Sequence, residues 1–327
     1  MSILYVCHAG DFVGLGHLSR ALVAAKAFTV ELGADVQLLV AGNLDHFDSF
    51  LGIPHRVVGF DRDLSVIIWE ICSYKPIEVI LFDLHPRLIP DDFELNLERL
   101  RALPCRLIAI DGLIRFRSML DLIFLPTFLF VPPSDLPDGA PIVYGWDCFL
   151  LNVEVRPSRW QNGPRVLALT GGSDVSGLGE RWPSLLDKEL LPNTELHWVT
   201  GPFANMARMP KAPRIQIVNH IAPAGLGPLM STSNYAVTVF GVSFFELLYS
   251  GIPTVVFAVQ ENKDQSLLHE VRRLGLALVA DDVTEATILL SKLMNDENLA
   301  RELSSRSRSV FTNHGALRLC SEVAGFL

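Results

Sequence analysis

Short apolar runs alternate with segments of helical periodicity through both halves of the chain. In the first half, residues 3–6, 35–40, 79–82 and 106–110 form the apolar runs, and amphipathic segments such as 64–74 separate them. This alternation is typical of a parallel sheet that carries helices on both faces. The pattern therefore predicts an α/β fold and argues against an all-helical or antiparallel architecture.

The alternation stops at a polar segment, residues 151–164, that contains two prolines, and it then starts again. A chain of 327 residues is also too long for one ordinary core. We therefore predict two doubly wound, Rossmann-like domains, residues 1–152 and 163–327, that face a cleft. The last helix is a candidate to pack back on the first domain. A cleft between two such domains is the default ligand site.

Charge and composition exclude several classes of protein. The formal net charge is −9, with 36 acidic and 27 basic residues, whereas a nucleic-acid partner requires a basic face. No apolar run is long enough for a membrane span, and we expect no secretory signal. The five cysteines are scattered without metal-ligand spacing, which indicates reduced thiols. We expect a cytoplasmic protein that is open to peripheral contact with the inner membrane.

A glycine-rich loop that ends in histidine follows the first apolar run. Gly14 and Gly16 allow a ligand to approach the backbone, and the free N–H groups of the helix that follows suit a phosphate. His17 stands at the start of that helix, where it could take a proton from an incoming hydroxyl. The alternative is a plain βα turn whose histidine caps the helix.

Two aspartates stand where apolar runs of the first half end. Asp83 follows residues 79–82 and Asp111 follows residues 106–110. Because ligands of parallel sheets gather at the carboxyl ends of the strands, we expect both aspartates and His17 to face one crevice. Either aspartate could hold the His17 ring in the tautomer that a general base needs. Arg20, one helical turn after His17, is expected to pair with an acidic neighbour or a phosphate, or to be exposed.

The second half carries two more glycine-containing loops at strand ends. Gly171 and Gly172 would allow a nucleotide to approach the backbone, with Ser173 as a phosphate contact. Gly241 and Ser243 precede or open a helix whose N-terminal amides and dipole suit a diphosphate. The alternatives are an ordinary βα turn at the first loop and a capping box between Ser243 and Glu246 at the second.

The sequence Asp61-Arg62-Asp63 has the spacing of a metal-binding D-x-D motif, but a helical segment follows it directly. Aspartate is favoured at helix starts, so we interpret this run as an N-cap region. We predict no metal and no cofactor.

The ordered set of motifs resembles the glycosyltransferase-B (GT-B) superfamily over nearly the whole chain. Two members that it resembles are the lipid-linked N-acetylglucosaminyltransferase of peptidoglycan synthesis and the UDP-sugar hydrolase of pseudaminic acid synthesis. The segments that carry the resemblance are Gly14-Leu15-Gly16-His17, Asp83-Leu84-His85, Asp111-Gly112-Leu113, residues 144–151, Gly171-Gly172-Ser173-Asp174, Gly241-Val242-Ser243-x-x-Glu246, Asn262-x-x-Gln265 and residues 313–318.

The resemblance implies a nucleotide-sugar substrate and a site made by both domains. It implies His17 as the catalytic base, with Asp83 and Asp111 in the same catalytic group. It implies donor contacts from Gly14, Gly16, Gly171, Gly172, Ser173, Gly241, Ser243, Glu246, Asn262 and Gln265, with Glu246 on the ribose and Asn262 and Gln265 on the sugar. It places His8, Arg20 and His85 on the acceptor side.

The chain departs from the hydrolase pattern only in the first half. Val6 and His8 replace its Arg-x-Asp, and His85 replaces its tyrosine. A changed acceptor explains such departures better than a lost activity. We therefore expect an inverting glycosyltransferase of bacterial surface glycan synthesis that uses a UDP-sugar or another NDP-sugar. The alternatives are the hydrolase with water as acceptor, a nucleotide-sugar 2-epimerase, and a binding module without turnover.

Overall fold

The computed structural model describes residues 1–11, 13–44, 50–153, 159–258, 264–311 and 314–326. The chain divides into two compact units. The first unit contains Met1–Leu151 together with Asn313–Leu327, and the second contains Asn152–Thr312. Each unit has a hydrophobic core of its own.

The first unit is built on a seven-stranded parallel sheet. Its elements up to residue 151 are β1 (Ser2–Ala9), α1 (Gly16–Leu32), β2 (Asp35–Gly42), β3 (His55–Val58), α2 (Leu64–Tyr74), β4 (Val79–Asp83), α3 (Phe93–Leu100), β5 (Arg106–Ile110), β6 (Leu122–Leu125) and β7 (Ile142–Tyr144). The strands lie in the order β3-β2-β1-β4-β5-β6-β7.

The second unit is built on a six-stranded parallel sheet. Its elements are β8 (Arg165–Leu169), α4 (Trp182–Glu189), β9 (Glu195–Thr200), β10 (Gln216–Ile221), α5 (Gly227–Thr232), β11 (Tyr235–Val239), α6 (Val242–Ser250), β12 (Thr254–Phe257), α7 (Gln265–Leu274), β13 (Leu278–Ala280), α8 (Val283–Met294) and α9 (Glu297–Val310). The strands lie in the order β10-β9-β8-β11-β12-β13.

Both sheets have the strand order of a dinucleotide-binding Rossmann fold. In each, the third, second and first strands are followed by the fourth, fifth and sixth. The direction of winding reverses between β1 and β4 in the first unit and between β8 and β11 in the second. Ligands of open α/β sheets bind at such reversal points, outside the carboxyl ends of the strands. The topology thus marks one candidate position in each unit.

The last helix, α10 (Gly315–Ala324), belongs to the first unit and packs against α1. At its start the Gly315 amide donates to the Phe149 carbonyl at 3.1 Å. A Cβ at Gly315 would lie 2.4 Å from the Phe149 oxygen, so a side chain would not fit there. The chain therefore returns to its first unit after completing the second.

Local sequence signals account for several element ends. Helix α1 ends at Gly33, whose left-handed conformation glycine adopts readily. Helix α2 begins after Asp63, whose carboxylate accepts from the Ser65 and Val66 amides. The N-cap interpretation of Asp61-Arg62-Asp63 is thereby confirmed. Hydrogen bonding to Ser65 lowers the pKa of the Asp63 carboxyl, which favours the charged cap.

Some predicted boundaries are wrong. The sequence pattern predicts a strand at residues 214–218 and a helix around residues 91–103, whereas the structure has the strand at Gln216–Ile221 and the helix at Phe93–Leu100. The three-residue strands β7 and β13 carry too little periodicity to be predicted. The sequence pattern also predicts a helix at residues 44–51, a segment that lies mostly outside the described residues. In the part of the chain that the structure describes, no helix has the length and apolar character needed to cross a bilayer.

Candidate functional site

His17 and Asp83 form the central contact of the first unit. His17 is the second residue of α1, and Asp83 is the last residue of β4, next to β1. The His17 Nδ1 atom lies 2.6 Å from the Asp83 Oδ1 atom. A carboxylate can only accept, so this contact favours a proton on Nδ1, whereas Arg20 Nη2, which can only donate, lies 2.9 Å from the same atom and favours a lone pair there. The contact with Asp83 is the shorter of the two, so we infer the Nδ1–H tautomer, which leaves Nε2 as a proton acceptor. Of the two aspartates that sequence allowed as partners of His17, the structure selects Asp83.

Asp83 is fully buried and saturated with hydrogen bonds. Arg20 donates to it twice, from Nε to Oδ2 at 2.9 Å and from Nη2 to Oδ1 at 2.7 Å. The Tyr5 hydroxyl donates to Oδ2 at 3.1 Å. Burial opposes the ionisation of Asp83, but the charge of Arg20 and the contact with His17 outweigh it and hold its pKa well below the usual range. Asp83 therefore stays negatively charged, and it contacts the His17 ring.

Arg20 links the two aspartates of the first unit. Besides Asp83, its Nη1 atom lies 2.8 Å from the Asp111 Oδ2 atom. Burial lowers the pKa of Arg20, but the two carboxylates raise this pKa by more than burial lowers it, so the net shift is upward. The prediction that Arg20 pairs with an acidic neighbour is confirmed, and the alternative of an exposed Arg20 is wrong because its side chain is 9% accessible. Arg20 thus stabilises the site by holding the carboxylates of Asp83 and Asp111.

Two further histidines lie next to this cluster. His8, near the end of β1, is buried, and its Nδ1 atom accepts from the His85 amide at 3.0 Å. Burial lowers the pKa of His8 to about 4, so its ring is neutral at pH 7. The His85 ring lies edge-on to the His17 ring, with centroids 6.0 Å apart. The two histidines that the sequence assigned to the acceptor side therefore adjoin His17.

The glycine loop before α1 is closed by its own backbone. Gly10 and Gly14 exchange two hydrogen bonds, of 3.1 and 2.7 Å, and Gly14 has a φ of 74° that favours glycine. Helix α1 begins at Gly16 after Leu15, and no side chain caps it. The alternative in which His17 caps the helix is therefore wrong. His17 follows the loop with its ring engaged by Asp83.

The predicted donor segments of the second unit lie at its reversal point. Gly171, Gly172 and Ser173 follow β8, and the segment from Gly241 to Ser243 follows the adjacent strand β11. Gly171 has a φ of 86°, and the Gly172 carbonyl accepts from the Phe203 amide at 3.0 Å. The topology thus brings together two loops that are 70 residues apart in sequence.

Helix α6 begins at Val242 after Gly241, without a capping side chain. Ser243 is inside the helix, so the alternative of a capping box between Ser243 and Glu246 is wrong. The Glu246 side chain accepts from the Asn152 amide at 3.0 Å and is only 5% exposed. Burial raises the pKa of this carboxyl. Its contact with a ribose stays a prediction.

The third donor segment is only partly described. Gln265 is the first residue of α7 and is exposed, whereas Asn262 lies outside the described residues.

The part of the chain that the structure describes contains no group of three or more histidine, cysteine, aspartate or glutamate side chains that could hold a metal ion.

Tyr5 is a contributor to the site that the sequence analysis missed. It occupies the middle of a buried strand, where aromatic residues usually fill the core, and nothing near it in sequence indicates its bond to Asp83. Arg20 carried a usable signal, because residues three apart share a helix face and His17 was already a candidate.

Comparisons with known proteins establish the fold. No protein-family model matches the chain, and no curated protein sequence is significantly similar to it. Solved structures are similar over the full length. They include MurG of Acinetobacter baumannii, at 12% identity, a TM-score of 0.65 and coverage of 99% of this chain and 100% of that one.

Two other solved structures extend the comparison. UGT2 of Phytolacca americana, complexed with UDP-2-fluoroglucose and pterostilbene, has 13% identity, a TM-score of 0.67 and 99% coverage of both chains. A protein of Listeria monocytogenes assigned as a UDP-N-acetylglucosamine 2-epimerase has 12% identity, a TM-score of 0.64 and coverage of 99% of this chain and 96% of that one.

These similarities confirm the predicted fold class, with two Rossmann-like domains of the GT-B kind. At such low sequence identity, these similarities establish only the fold. The reaction has to be inferred from the site.

Proposed function

We propose that this protein is an inverting GT-B glycosyltransferase that transfers a sugar from a UDP-sugar or another NDP-sugar to a hydroxyl group, with His17 as the general base. The contact between His17 Nδ1 and Asp83 Oδ1 carries this proposal. It supports the tautomer in which Nε2 carries the lone pair that a general base needs.

The reaction is a single displacement at the anomeric carbon. The acceptor oxygen forms a bond to that carbon while the bond to the diphosphate oxygen breaks. The hydroxyl proton moves to His17 Nε2, and the diphosphate leaves with the bonding electron pair. Asp83 stabilises the imidazolium that forms, and it needs no proton of its own because Arg20 keeps it ionised.

The donor is assigned to the second unit. The N–H groups at the start of α6 have no side-chain cap and would stabilise the departing diphosphate, with Ser243, Gly172 and Ser173 as further contacts. Among the structures of similar fold, UGT2 is complexed with a UDP-sugar analogue and the rhamnosyltransferase SpnG with thymidine diphosphate. These complexes support a site for a nucleoside diphosphate. They do not identify the nucleobase of the donor.

The cellular role follows from the resemblance of the motifs. We infer synthesis of a bacterial surface glycan or glycoconjugate at the cytoplasmic side of the inner membrane. The acceptor is a small molecule or a glycan.

The fold shared with the Listeria protein favours nucleotide-sugar 2-epimerisation as the second candidate. Asp83, His85 and Asp111 would then act on the sugar itself. The two reactions differ in their products, since epimerisation returns an intact nucleotide sugar and transfer releases the nucleoside diphosphate.

A panel of nucleotide sugars tests the assignment. The purified protein is incubated with each donor, first alone and then with a bacterial extract that supplies acceptors, and release of nucleoside diphosphate is measured. We expect release only with extract and with one donor of the panel. Release without extract would make water the acceptor and the protein a hydrolase. Conversion of a donor to its epimer without release would replace the proposal with the second candidate.

A further inference from the structure

The chain leaves its first unit at Leu151, and the segment that returns to this unit holds the carbonyl groups there. The Phe149 carbonyl accepts from the Gly315 amide at 3.1 Å. The Leu151 carbonyl lies 2.7 Å from His314 Nε2. The Ala316 amide donates to His314 Nδ1, so the ring proton is on Nε2 and is donated to Leu151. These contacts fix the main chain of the linker on the first unit as far as residue 151.

The next main-chain group of the linker, the Asn152 amide, is held by a different element. It donates to Glu246 Oε1 at 3.0 Å, and both residues belong to the second unit. Asn152 is exposed, whereas its neighbours Leu151 and Val153 are buried. The contact with Glu246 is made by the backbone of Asn152, so it does not depend on the identity of that side chain.

Glu246 is a buried carboxylate with little compensation for its charge. It is 5% exposed and lies in the second turn of α6. In the described part of the chain, the hydrogen-bond donor that it meets is the neutral Asn152 amide. Burial raises the pKa of this carboxyl, and the bond from Asn152 only partly opposes the rise. A ligand with stronger or more numerous donors would therefore compete effectively for this carboxylate.

The position of Glu246 selects the class of ligand that can compete. Helix α6 follows β11 at the reversal point of the second sheet, and its uncapped start is the proposed contact of the diphosphate. Glu246 lies one turn further along the helix, which is roughly 5 Å. In a nucleoside diphosphate the ribose directly follows the diphosphate, and its two neighbouring hydroxyl groups are hydrogen-bond donors. The ribose is therefore the part of the ligand that can reach Glu246.

We propose that Glu246 exchanges one partner for another, holding the Asn152 amide of the linker in the free protein and the ribose hydroxyls in the nucleotide complex. Binding of a nucleoside diphosphate then releases the linker main chain at Asn152, while the Leu151 carbonyl stays bonded to His314. This exchange rests on the proposed function, which supplies the nucleotide. It makes the linker amide a competitor of the ribose.

Amide hydrogen exchange tests the release directly. The full-length protein is prepared with isotopically labelled asparagine, and the Asn152 signal is identified by its loss in Asn152→Ala. The nucleotide that binds most tightly among UDP, CDP, GDP and ADP is chosen by calorimetry. Saturation with it should accelerate exchange of the Asn152 amide by about tenfold, because the acceptor of this amide has been taken. An Asn152 amide that stays equally protected in the saturated complex would overturn the proposal.

The 2′,3′-dideoxy analogue of the same nucleotide separates the ribose hydroxyls from the rest of the ligand. It keeps the base and the diphosphate but has no hydroxyl group to offer to Glu246. We expect it to bind and to leave the exchange rate of the Asn152 amide unchanged. Equal acceleration by the analogue would show that the release does not need the ribose hydroxyls, and it would overturn the proposal.

Two substitutions at one position test the competition. Asn152→Pro removes the N–H group and leaves Glu246 free for the ribose. The ribonucleotide should bind about three- to tenfold more tightly to this variant than to the wild type, and the dideoxy analogue should bind as before. Asn152→Ala is the matched control, because it keeps the N–H group and should bind both ligands with wild-type affinity. No gain of affinity in folded Asn152→Pro would contradict the competition.

The outcomes also separate this proposal from the proposed function. A bound nucleotide with a protected Asn152 amide would reject the exchange and leave the transferase assignment in place. Binding of none of the four nucleotides would reject the donor assignment, and the exchange with it. Release of the amide by a nucleotide, without transfer of sugar in the extract assay, would support the exchange and reject the proposed transferase.

Discussion

An Asp83→Asn variant is expected to lose roughly 10³- to 10⁴-fold in kcat for each folded molecule, because the His17 ring would adopt the wrong tautomer. In the native site, the His17 Nδ1 atom lies 2.6 Å from the Asp83 carboxylate and 2.9 Å from Arg20 Nη2. The carboxylate accepts from Nδ1–H. With an amide in its place, both neighbours can donate to Nδ1, and the proton would move to Nε2, where a base needs a lone pair.

Two readouts separate this positioning effect from general damage. The affinity of the nucleoside diphosphate, measured by calorimetry, should be unchanged, since its proposed contacts belong to the second unit. Nitrogen NMR of labelled histidine should show the His17 proton on Nε2 in the variant. Asp111→Asn is the control, because Asp111 contacts Arg20 but not His17. It should lose far less activity, and an equal loss would contradict the assigned role of Asp83.

An Arg20→Leu variant is expected to destabilise the first unit by about 3–5 kcal/mol, because it leaves the buried Asp83 carboxylate without its main counter-charge. Leucine retains much of the packing volume of arginine. The loss of stability therefore measures chiefly the removal of the positive charge. Native-state hydrogen exchange at the amides of β1 and β4 measures it, since this method resolves the first unit from the second.

The control is an arginine pair at the surface of the same unit. Arg56 and Glu70 are in contact, but their side chains are 40% and 47% exposed, so Arg56→Leu should cost only about 0–1 kcal/mol. A similar cost for both variants would contradict the account of Arg20. Adding Asp83→Asn to Arg20→Leu should restore part of the lost stability, because the unpaired charge is then gone.

The effect of Arg20→Leu depends on pH with a defined sign. In the native protein the folded pKa of Asp83 is depressed, so its contribution is present above the unfolded value near 4 and is lost as the pH falls through the folded value. In the variant, burial without Arg20 raises the folded pKa, and protonation removes the buried charge. The difference in the free energy of unfolding between the wild type and Arg20→Leu should therefore become smaller as the pH falls from 7 toward 4.

The fold could be predicted because its signals are local and repeated. Buried parallel strands require continuous apolar runs, and residues 79–83 and 106–110 carry such runs with an aspartate at or just after the end. The presence of two Rossmann-like units followed from the restart of the pattern after the linker, and the GT-B assignment followed from the resemblance of the motifs. Boundaries failed where elements are short, as at β7, or where packing rather than periodicity sets the register, as at β10.

The candidate site was predictable only in part, because its contacts join residues far apart in sequence. The loop that ends in His17 and the aspartates at strand ends were visible as motifs. The choice of Asp83 over Asp111 was not, since it depends on which strand neighbours β1. The engagement of Glu246 by the Asn152 amide also escaped prediction, because no sequence pattern shows that a linker amide meets a helix carboxylate.

The most direct test of the central claim compares the wild type with His17→Ala in the same nucleotide-sugar assay. The variant should bind the nucleoside diphosphate with wild-type affinity and release it about 10²- to 10⁴-fold more slowly, because it has lost its general base. His55→Ala, at an exposed histidine of the same unit, is the control and should keep full activity. Release by His17→Ala at the wild-type rate would contradict the account.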